Sequence, residues 1–517
     1  VTGGDAFLHK NLKDNTNLAT WDGELYLEMH RGTFTTKSNL KKANRTLEFK
    51  LRETELRAAL SSLTGASYPS EELTECYKKF LLNQFHDILP GSHIHPVYED
   101  AMNDYRSVSE RLDAMLALTA GNEYFNSLNF TRSSITFIED ENGAITRHGV
   151  KGFWSIPTLA GLSTGTVAAL PSKENWLSTE FCDKCDCLVV ETPYYRAKLS
   201  SDGSFVSLYD KELDREWVKE GCGFNKLHLY ADNPGVYDAW DILPNYKDVQ
   251  VALNVDKPLA LVSSDGSSAE FAVTFTTEKS TWKMILRFFA DSRAIEVENV
   301  VDWDEKHKLV KVNFGPDVLT RELVCDTSAG FVKRDLTKNT SWQQARFEVC
   351  HHKWCDMSES GSGIAIINEG KYGVGLEKDE ISLSLLRATI RPDITSDIGH
   401  HDFCYTILPH SGDAVEAQVN KTAMEYNVPL CKSNVTVPAA LRDTLNNCGL
   451  YLQAMKRSED GQYLILRLSE QDGRRGKIAF PFEVQTMNLI EDIEGSTKVV
   501  SYHPFELITV AVKPEDL

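Results

Sequence analysis

The character of the sequence changes at Gly121, and this change constrains the fold more than any other feature. Before it, three segments carry apolar residues at helical spacing. After it, short β-branched and aromatic runs alternate with Asp-Gly, Asn-Gly and Pro. Amphipathic helices with short joints predict a small antiparallel bundle, and strands between turn residues predict stacked sheets. We therefore expect an α+β, multidomain chain with no further amphipathic helix after Gly121.

Glycine or proline follows each predicted helix, which is typical of helix ends. The three helices are 38–63 before Gly65, a second one capped by Ser70 and closed by Pro90-Gly91, and 97–120 before Gly121. Among the later strands, 197–199 and 205–209 flank Ser201-Asp202-Gly203 and predict a hairpin. Residues 161–176 and 432–438 have the composition of loops, so they are candidate domain boundaries.

The stretch 21–36 alternates cleanly between two sets of side chains. Leu25, Leu27 and Met29 lie on one side and Glu24, Tyr26, Glu28 and His30 on the other. This period of two predicts a strand with one packed and one polar face. A lone edge strand would give the same pattern.

The stretch Leu81 to Ser92, LLNQFHDILPGS, places His86 and Asp87 next to each other near the end of the second helix. Apolar side chains surround the axis there, which predicts a helix buried on every side. Because buried polar groups need partners, we expect the imidazole and the carboxylate to meet a hydrogen-bond network, a metal or a ligand.

Composition excludes several classes of partner. The 517 residues carry a formal net charge of −20, which disfavours nucleic acid and anionic membranes. The apolar runs are too short to cross a bilayer. The odd number of cysteines, 11, favours reduced thiols and the cytoplasm. Cys182, Cys185 and Cys187 could provide three ligands of a metal site, or two of them could form a redox pair. The alternative is a surface loop with reduced thiols.

Seven motifs in order carry a family resemblance: ELYLEMHRGTFTT, NQFHDILPGS, NPGVYDAWDI, WQQARFEVCHHKWCDMSE, NEGKYG, SLSLLRA and DIGHHDFCYTILPH. Together they resemble the family 38 glycoside hydrolases, and specifically the cytosolic and fungal-vacuolar α-mannosidases. The closing HPFELITV also resembles the last strand of the family. The resemblance implies five parts: the end of the catalytic β/α domain with its last strand (1–36), a three-helix bundle (37–125), a small β domain (126–190), a large β-sandwich domain (191–425) and a C-terminal β domain (426–517).

The resemblance also implies roles for residues. His86 matches the last zinc ligand of the family, where cobalt can replace zinc, and Asp87 matches a carboxylate that hydrogen-bonds mannose hydroxyls. The family nucleophile, acid/base and remaining zinc ligands have no counterpart here, although retaining hydrolysis needs two carboxylates about 5 Å apart. One imidazole alone does not hold zinc, because zinc sites have three or four ligands.

Other substrate contacts are expected from matching motifs. His30 matches a side chain beside the sugar, although a solvated histidine fits the alternation equally well. Tyr237, Asp238, Trp240 and Asp241 combine aromatic faces with carboxylates that can grip a sugar, whereas a β-turn with a packed Trp is the alternative. Arg387 matches an arginine near the active-site mouth or is an ordinary strand arginine. We expect His400, His401 and His410 to be structural or rim residues.

These observations predict a portion of a zinc-dependent retaining α-mannosidase that removes terminal α-mannose from oligomannose glycans. The chain alone should be inactive, and a partner segment would carry the N-terminal catalytic residues. We expect a homo-oligomer in the cytoplasm, with the vacuole as the alternative location. The competing hypotheses are a non-catalytic carbohydrate-binding or scaffolding β-sandwich protein and a degenerate family member kept for interactions.

Overall fold

The computed structural model describes residues 3–13, 17–26 and 28–517. The helices lie mainly in the first quarter of these residues, as the sequence predicts. They are α1 (Gly4–Leu12), α2 (Ser38–Ser62), α3 (Ser70–Leu82), α4 (His95–Ala117), α5 (Ser341–Ala345), α6 (Val419–Asn427) and α7 (Ala439–Leu445), with 3-10 turns at Arg31–Phe34, Gly235–Tyr237, Tyr246–Asp248 and Pro514–Asp516.

The predicted three-helix bundle is confirmed and consists of α2, α3 and α4. Apolar side chains at helical spacing form its core, namely Leu40, Leu47, Leu51, Leu73, Cys76, Phe80, Ala101, Tyr105, Val108 and Leu112. The opposite face of α2 adds Leu56, Ala59 and Leu60 to the core of the C-terminal β domain. Helix α2 is therefore the element on which the bundle and the later sheets are assembled.

The second helix is shorter than the sequence predicts. It ends at Leu82 and not at Pro90, and Ser70 is its first residue while Pro69 holds the cap position. The Asn83 side chain donates to the Lys79 carbonyl at 2.9 Å and so satisfies one of the last helical acceptors. Residues 83–91 then form successive turns, which places His86 and Asp87 off the helix.

Two small sheets follow the bundle in the chain. Their strands are β1 (Glu123–Asn126), β2 (Thr136–Glu139), β3 (Ile145–Arg147), β4 (Val150–Ser155) and β5 (Ser163–Gly165). One three-stranded sheet has the order β2-β4-β3, and the other places β1 between β5 and β26 (Cys431–Ser433). The chain after residue 426 therefore returns to complete a sheet begun before residue 166.

The large β domain consists of two sheets. Its strands are β6 (Ser178–Cys182), β7 (Cys187–Glu191), β8 (Tyr195–Leu199), β9 (Phe205–Asp210), β10 (Arg215–Glu216), β11 (Phe224–Ala231), β12 (Gln250–Val251), β13 (Asn254–Ser264), β14 (Ser268–Thr276), β15 (Thr281–Phe289), β16 (Ile295–Trp303), β17 (Lys308–Phe314), β18 (Glu322–Thr327), β19 (Gly330–Asp335), β20 (Glu348–Cys350), β21 (Trp354–Glu359), β22 (Ser362–Asn368), β23 (Gly373–Glu377), β24 (Glu380–Ala388) and β25 (Gly399–Ser411). The predicted hairpin is confirmed as β8 paired with β9.

An eleven-stranded sheet follows the path β20-β23-β24-β17-β11-β9-β8-β7-β6, with β10 and β12 at its side. A nine-stranded sheet follows β13-β14-β15-β16-β25-β22-β21-β18-β19. Their inner faces share one core, in which the rings of Phe205 and Phe288 meet edge to face at 6.3 Å. The first of these sheets begins at Ser178, so β6 and all of β7 except Glu191 lie before the expected boundary at residue 191.

The C-terminal domain contains the five-stranded sheet β27-β28-β31-β29-β30. Its strands are β27 (Tyr451–Arg457), β28 (Leu464–Ser469), β29 (Gly476–Met487), β30 (Ile493–Tyr502) and β31 (Leu507–Val512). The helices after Gly121 have at most nine residues in the described part of the chain. The prediction of an all-β remainder therefore holds, except for α5, α6 and α7.

The predicted strand over 21–36 is wrong. Its described residues contain no strand, and Arg31–Phe34 is a 3-10 turn. The two faces are also inverted, because Leu25 and Met29 are 83% and 53% exposed, whereas Glu24 and Tyr26 bind the large domain. Leu27 lies outside the described residues.

Side-chain contacts replace the strand ladder in this stretch. Glu24 pairs with Arg334 at 2.6 Å, and the Tyr26 hydroxyl donates to the Glu348 carbonyl at 2.5 Å. These contacts fix the chain against the large domain without a neighbouring strand. Alternation alone could not separate the two arrangements, because both point successive side chains to opposite sides.

Candidate functional site

The site residues predicted from the motifs lie at a junction between the bundle and the large domain. At its centre is the 3-10 turn Arg31–Phe34, whose Gly32 N–H donates to the Trp240 carbonyl at 2.9 Å. A Cβ at Gly32 would lie 2.2 Å from Nη1 of Arg387, so only glycine allows this approach. The turn thereby joins the segment that follows His30 to the NPGVYDAWDI motif.

Arg387 holds this junction from β24. Its side chain is fully buried and pairs with Asp232 at 2.5 Å. Nη1 donates to the Thr36 hydroxyl and the Ala239 carbonyl at 3.1 and 3.2 Å, and Nη2 donates to the Asp241 carbonyl. The guanidinium is thus enclosed by protein partners and acts on the site through the segments that it holds in place.

Asp232 shows the cost of this arrangement. Burial raises the pKa of its carboxyl, and the charge and hydrogen bond of Arg387 act in the opposite direction. Its second oxygen has no hydrogen-bond partner. Since an unpaired buried charge is costly, Asp232 and Arg387 depend on each other.

The NPGVYDAWDI segment divides into a buried and an exposed half. Asp238 is fully buried and accepts from the backbone N–H of Ile390 at 2.6 Å. The ring of Tyr237 is 54% exposed and meets Trp240 edge to face at 6.3 Å. Asp241 is partly exposed and pairs with Arg31 at 3.2 Å. Tyr237, Trp240 and Asp241 can therefore face a ligand, whereas Asp238 is a structural residue.

His30 precedes the 3-10 turn and is partly buried. Its carbonyl accepts from the Thr33 hydroxyl at 2.5 Å, while its Nδ1 is buried and has no hydrogen-bond partner. The buried Nδ1 shows that this ring is not the fully solvated histidine of the alternative hypothesis.

His86 and Asp87 lie on the turns after α3 and not in a buried helix, which corrects the expectation of burial on every side. The His86 side chain is 78% exposed and that of Asp87 is 47% exposed. Their apolar neighbours Leu81, Leu82 and Phe85 are also 51–61% exposed. The periodicity fails here because the helix ends at Leu82, so the apolar residues after it do not surround a helix axis. Ile88 packs against the bundle core, whereas Leu81, Leu82 and Phe85 stay exposed.

Few contacts hold the two side chains. An oxygen of Asp87 accepts from the Ser92 hydroxyl at 3.0 Å, and its other oxygen lies 3.7 Å from Nε2 of His86. The imidazole lies against the Phe85 ring with 4.1 Å between ring centroids. Both functional groups therefore remain available to a ligand or to another polypeptide.

Lys41 connects this turn to the rest of the junction. From α2, its Nζ donates to the carbonyls of Thr36, Leu89 and Pro90 at 2.5, 2.9 and 3.3 Å. Burial lowers the pKa of Lys41 to about 7. The motif segments that contain His30 and His86 are thus held together by one buried amine.

Sequence reasoning missed Lys41, Arg31, Asp232 and Asp397. Asp397 accepts from the backbone N–H groups of Lys37 and Ser38 at 2.7 Å each, at the start of α2. Arg31 stands next to His30 in the same motif, which was a usable signal. Asp397 likewise opens the motif DIGHHDFCYTILPH. Lys41 and Asp232 lie outside the motifs and gave no signal, because their partners are distant in sequence.

His400, His401 and His410 have protein partners. His401 and His410 are buried against the Asp397 carbonyl and Asp356, whereas His400 is exposed beside Asp302. These contacts agree with structural and rim roles.

Cys182 and Cys187 face each other across the β6–β7 hairpin, with the exposed Cys185 at its tip. The hydrogen bond from Cys185 lowers the pKa of the Cys182 thiol. All 11 cysteines are free thiols.

The surroundings of His86 do not form a zinc site from this chain alone. Within the described part of the chain, the histidine, cysteine and carboxylate side chains that bring three ligand atoms within 4.8 Å of one another are those of His148, Glu369 and Cys404. That group lies elsewhere. Since zinc needs three or four ligands, His86 can contribute at most one ligand to a site completed by other residues.

Three family profiles match the sequence. "Alpha mannosidase middle domain" covers 28–121, "Glycosyl hydrolases family 38 C-terminal domain" covers 190–395, and "Glycosyl hydrolases family 38 C-terminal beta sandwich domain" covers 449–510.

Curated relatives support the same grouping. "Alpha-mannosidase 2C1" of Homo sapiens is 31% identical over 89% of this chain and 46% of its own length. "Alpha-mannosidase" of Saccharomyces cerevisiae is 30% identical over 81% of this chain and 38% of its own length. The chain therefore spans about half the length, or less, of the curated relatives that it matches.

A solved structure shares the fold. The crystal structure of an alpha-mannosidase from Enterococcus faecalis V583 superimposes with a TM-score of 0.76 over 99% of this chain and 72% of that chain, at 14% identity.

Proposed function

Because the chain belongs to glycoside hydrolase family 38, we propose that it is the portion of a retaining α-mannosidase that borders the sugar from one side. The observation that carries this proposal is the exposure of His86 and Asp87 on a turn that Lys41 ties to the junction. Residues that were only packing would not leave an imidazole and a carboxylate open beside uncovered apolar side chains.

In this proposal the chain binds and positions the substrate. Asp87 and Asp241 accept hydrogen bonds from mannose hydroxyls, the Tyr237 and Trp240 rings contact the apolar face of the sugar, and His30 lines the site. Arg387 is a positioning residue, because it donates hydrogen bonds to the Thr36 hydroxyl and the Asp241 carbonyl. The substrate class is terminal α-mannose of oligomannose glycans.

His86 supplies one neutral imidazole to a zinc or cobalt ion whose other ligands come from a separate segment. The same segment supplies the two carboxylates that retaining hydrolysis requires. Leu25, Met29, Leu81, Leu82 and Phe85 are exposed apolar side chains on which such a segment could pack. The matched relatives extend well beyond the region that they share with this chain, so they have room for such a segment.

The structure adds one observation on location. No helix in the described residues is both long and apolar enough to cross a bilayer. We propose the cytoplasm, because all 11 cysteines are free thiols, with the vacuole as the alternative, and a homo-oligomeric assembly.

The test compares the purified chain alone with the chain co-purified with an N-terminal catalytic segment of a family member. We expect the assembly to hydrolyse an aryl α-mannoside and the isolated chain to be inactive. His86→Ala should lower both the zinc content and the activity of the assembly, while the exposed His400→Ala control leaves both unchanged.

Two results would contradict the proposal. One is zinc-dependent hydrolysis by the isolated chain, which would place the catalytic groups here. The other is an inactive assembly that binds mannose glycans equally well with His86→Ala, which would favour the carbohydrate-binding alternative.

A further inference from the structure

A second group of metal-ligand side chains lies where the small sheet β2-β4-β3 docks on the large domain. His148 follows β3 in a turn with positive φ angles at His148 and Gly149. Glu369 follows β22, and the fully buried Cys404 lies in β25. Nε2 of His148 is 3.2 Å from the Cys404 sulfur and 3.4 Å from a Glu369 oxygen, and the three ligand atoms lie within 4.8 Å of one another.

We propose that His148, Glu369 and Cys404 bind a divalent zinc-type cation. Thiolate, imidazole and carboxylate are the ligands that zinc takes in proteins. At tetrahedral zinc, nitrogen and oxygen ligands lie about 3.4 Å apart and nitrogen and sulfur ligands about 3.6 Å apart, as follows from the bond lengths. The observed separations of 3.4 and 3.2 Å need adjustments of only a few tenths of an ångström.

Carboxylates surround the other ring nitrogen of His148. Nδ1 is buried and makes no hydrogen bond in this structure, but it lies 3.1 Å from an Asp402 oxygen and 3.6 Å from a Glu298 oxygen. Metal-ligating histidines nearly always bond a carboxylate, carbonyl or water through that nitrogen, and Asp402 is the nearer of these two carboxylates. Asp402 is in turn paired with Lys42 of α2. The second oxygen of Glu369 pairs with Arg147 at 2.5 Å.

A hydrogen bond explains these distances less well than a metal does. One N–H at Nε2 cannot serve two acceptors well, and 3.4 Å to Glu369 exceeds the usual N–H···O range. The same Glu369 oxygen accepts a long hydrogen bond of 3.3 Å from the Cys404 backbone N–H, and a cation between the three ligand atoms would bind all of them at once. His148 and Glu369 also line a cavity of about 840 Å³, which can provide access and a fourth, water-filled position.

The location indicates a structural role. His148 belongs to the small β domain, Glu369 and Cys404 belong to the large domain, and the Lys42 to Asp402 pair extends the contact to the bundle. A metal here would fasten three parts of the molecule. The site is independent of His86 and of the proposed mannosidase activity.

The experiment uses the full chain with Cys182 and Cys185 changed to serine, so that the exposed hairpin thiols cannot contribute. After treatment with a chelator, the protein is titrated with Zn²⁺ and, in parallel, with Co²⁺. We expect one metal per chain, a thiolate-to-cobalt charge-transfer absorption and a rise in Tm on Zn²⁺ addition. X-ray absorption of the zinc form should show one sulfur among nitrogen and oxygen ligands.

Variants assign the ligands. Cys404→Ala should abolish the cobalt absorption, and Asp402→Asn should weaken the metal affinity about 10–100-fold. Cys355→Ala is the matched control, since Cys355 is an equally buried thiol in β21 of the same sheet, and it should retain the absorption.

Two results would overturn the proposal. The first is that the chain with His148, Glu369 and Cys404 intact takes up no metal at micromolar Zn²⁺, in which case these side chains only contact one another and their neighbours. The second is an X-ray absorption spectrum of the zinc form that shows no sulfur ligand. This measurement does not depend on the folding of a variant.

Discussion

The Arg387 junction and the His86 turn belong to the same candidate site but are stabilised in opposite ways. Arg387 is fully buried and bonded to Asp232, Thr36 and two backbone carbonyls. His86 is 78% exposed, and within the described residues its side chain lies against its chain neighbours Phe85 and Asp87. The polar groups of Arg387 are bonded within this chain, whereas the imidazole of His86 is exposed to solvent.

This difference separates stability from function. A group enclosed by protein partners stabilises the fold and contributes to a site by positioning. A group left open stabilises little, but it can still meet a metal, a sugar or another segment. Substitutions at Arg387 should therefore change the free energy of unfolding far more than substitutions at His86, although both residues match motifs of the same family.

The largest effect is expected for Arg387→Met. Removing the guanidinium leaves the buried Asp232 carboxylate unpaired, which should lower the free energy of unfolding by about 3–5 kcal/mol. Denaturant unfolding followed by circular dichroism measures the change. The control Arg321→Met removes an exposed arginine and should change stability by about 0.5 kcal/mol or less.

A double variant sharpens this prediction. Arg387→Met with Asp232→Asn removes both charges, so part of the lost stability should return. If the double variant is as unstable as the sum of the two single variants, the ion pair is not the source of the effect.

The sequence could predict the parts of the molecule that depend on local pattern. Helical spacing of Leu40, Leu47 and Leu51 predicts the bundle, and Ser201-Asp202-Gly203 predicts the β8–β9 hairpin. The exposure of His86 could not be predicted, because periodicity shows which side chains surround an axis but not which elements cover them. The Asp232 and Asp397 contacts join residues 155 and 360 apart, beyond any local pattern.

The next effect concerns Lys41, which joins the two regions. Lys41→Met leaves buried backbone carbonyls without donors and should cost about 1–3 kcal/mol at pH 9. Lys78→Met, which removes an exposed lysine of α3, is the control and should have little effect.

The stability difference between wild type and Lys41→Met should depend on pH. The folded pKa of Lys41 is about 7, below its usual value of 10.5. Between these two values the unfolded state holds the proton and the folded state has lost it, so the stability of the wild type relative to the variant should rise with pH. Below pH 7 both states are protonated and the difference should level off. A difference that falls between pH 7 and 10 would contradict this account.

A smaller loss is expected for Asp397→Ala at the start of α2. Its carboxylate accepts from two N–H groups that have no acceptor inside the helix, and loss of such a cap costs about 0.5–2 kcal/mol. Asp443→Ala removes an exposed carboxylate of α7 and is the matched control. Equal Tm values for the two variants would show that the Asp397 contact contributes no stability.

The smallest effect is expected for His86→Ala in the isolated chain. The imidazole is exposed and its main contact is the Phe85 ring, so stability should change by about 0.5 kcal/mol or less. The same substitution should remove metal and activity from the assembled enzyme, which a packing role would not do. Unfolding of the isolated chain and zinc content of the assembly, measured on one variant, therefore distinguish an open functional group from a structural one. A large loss of stability in the isolated chain would show that the turn is a closed region like the Arg387 junction.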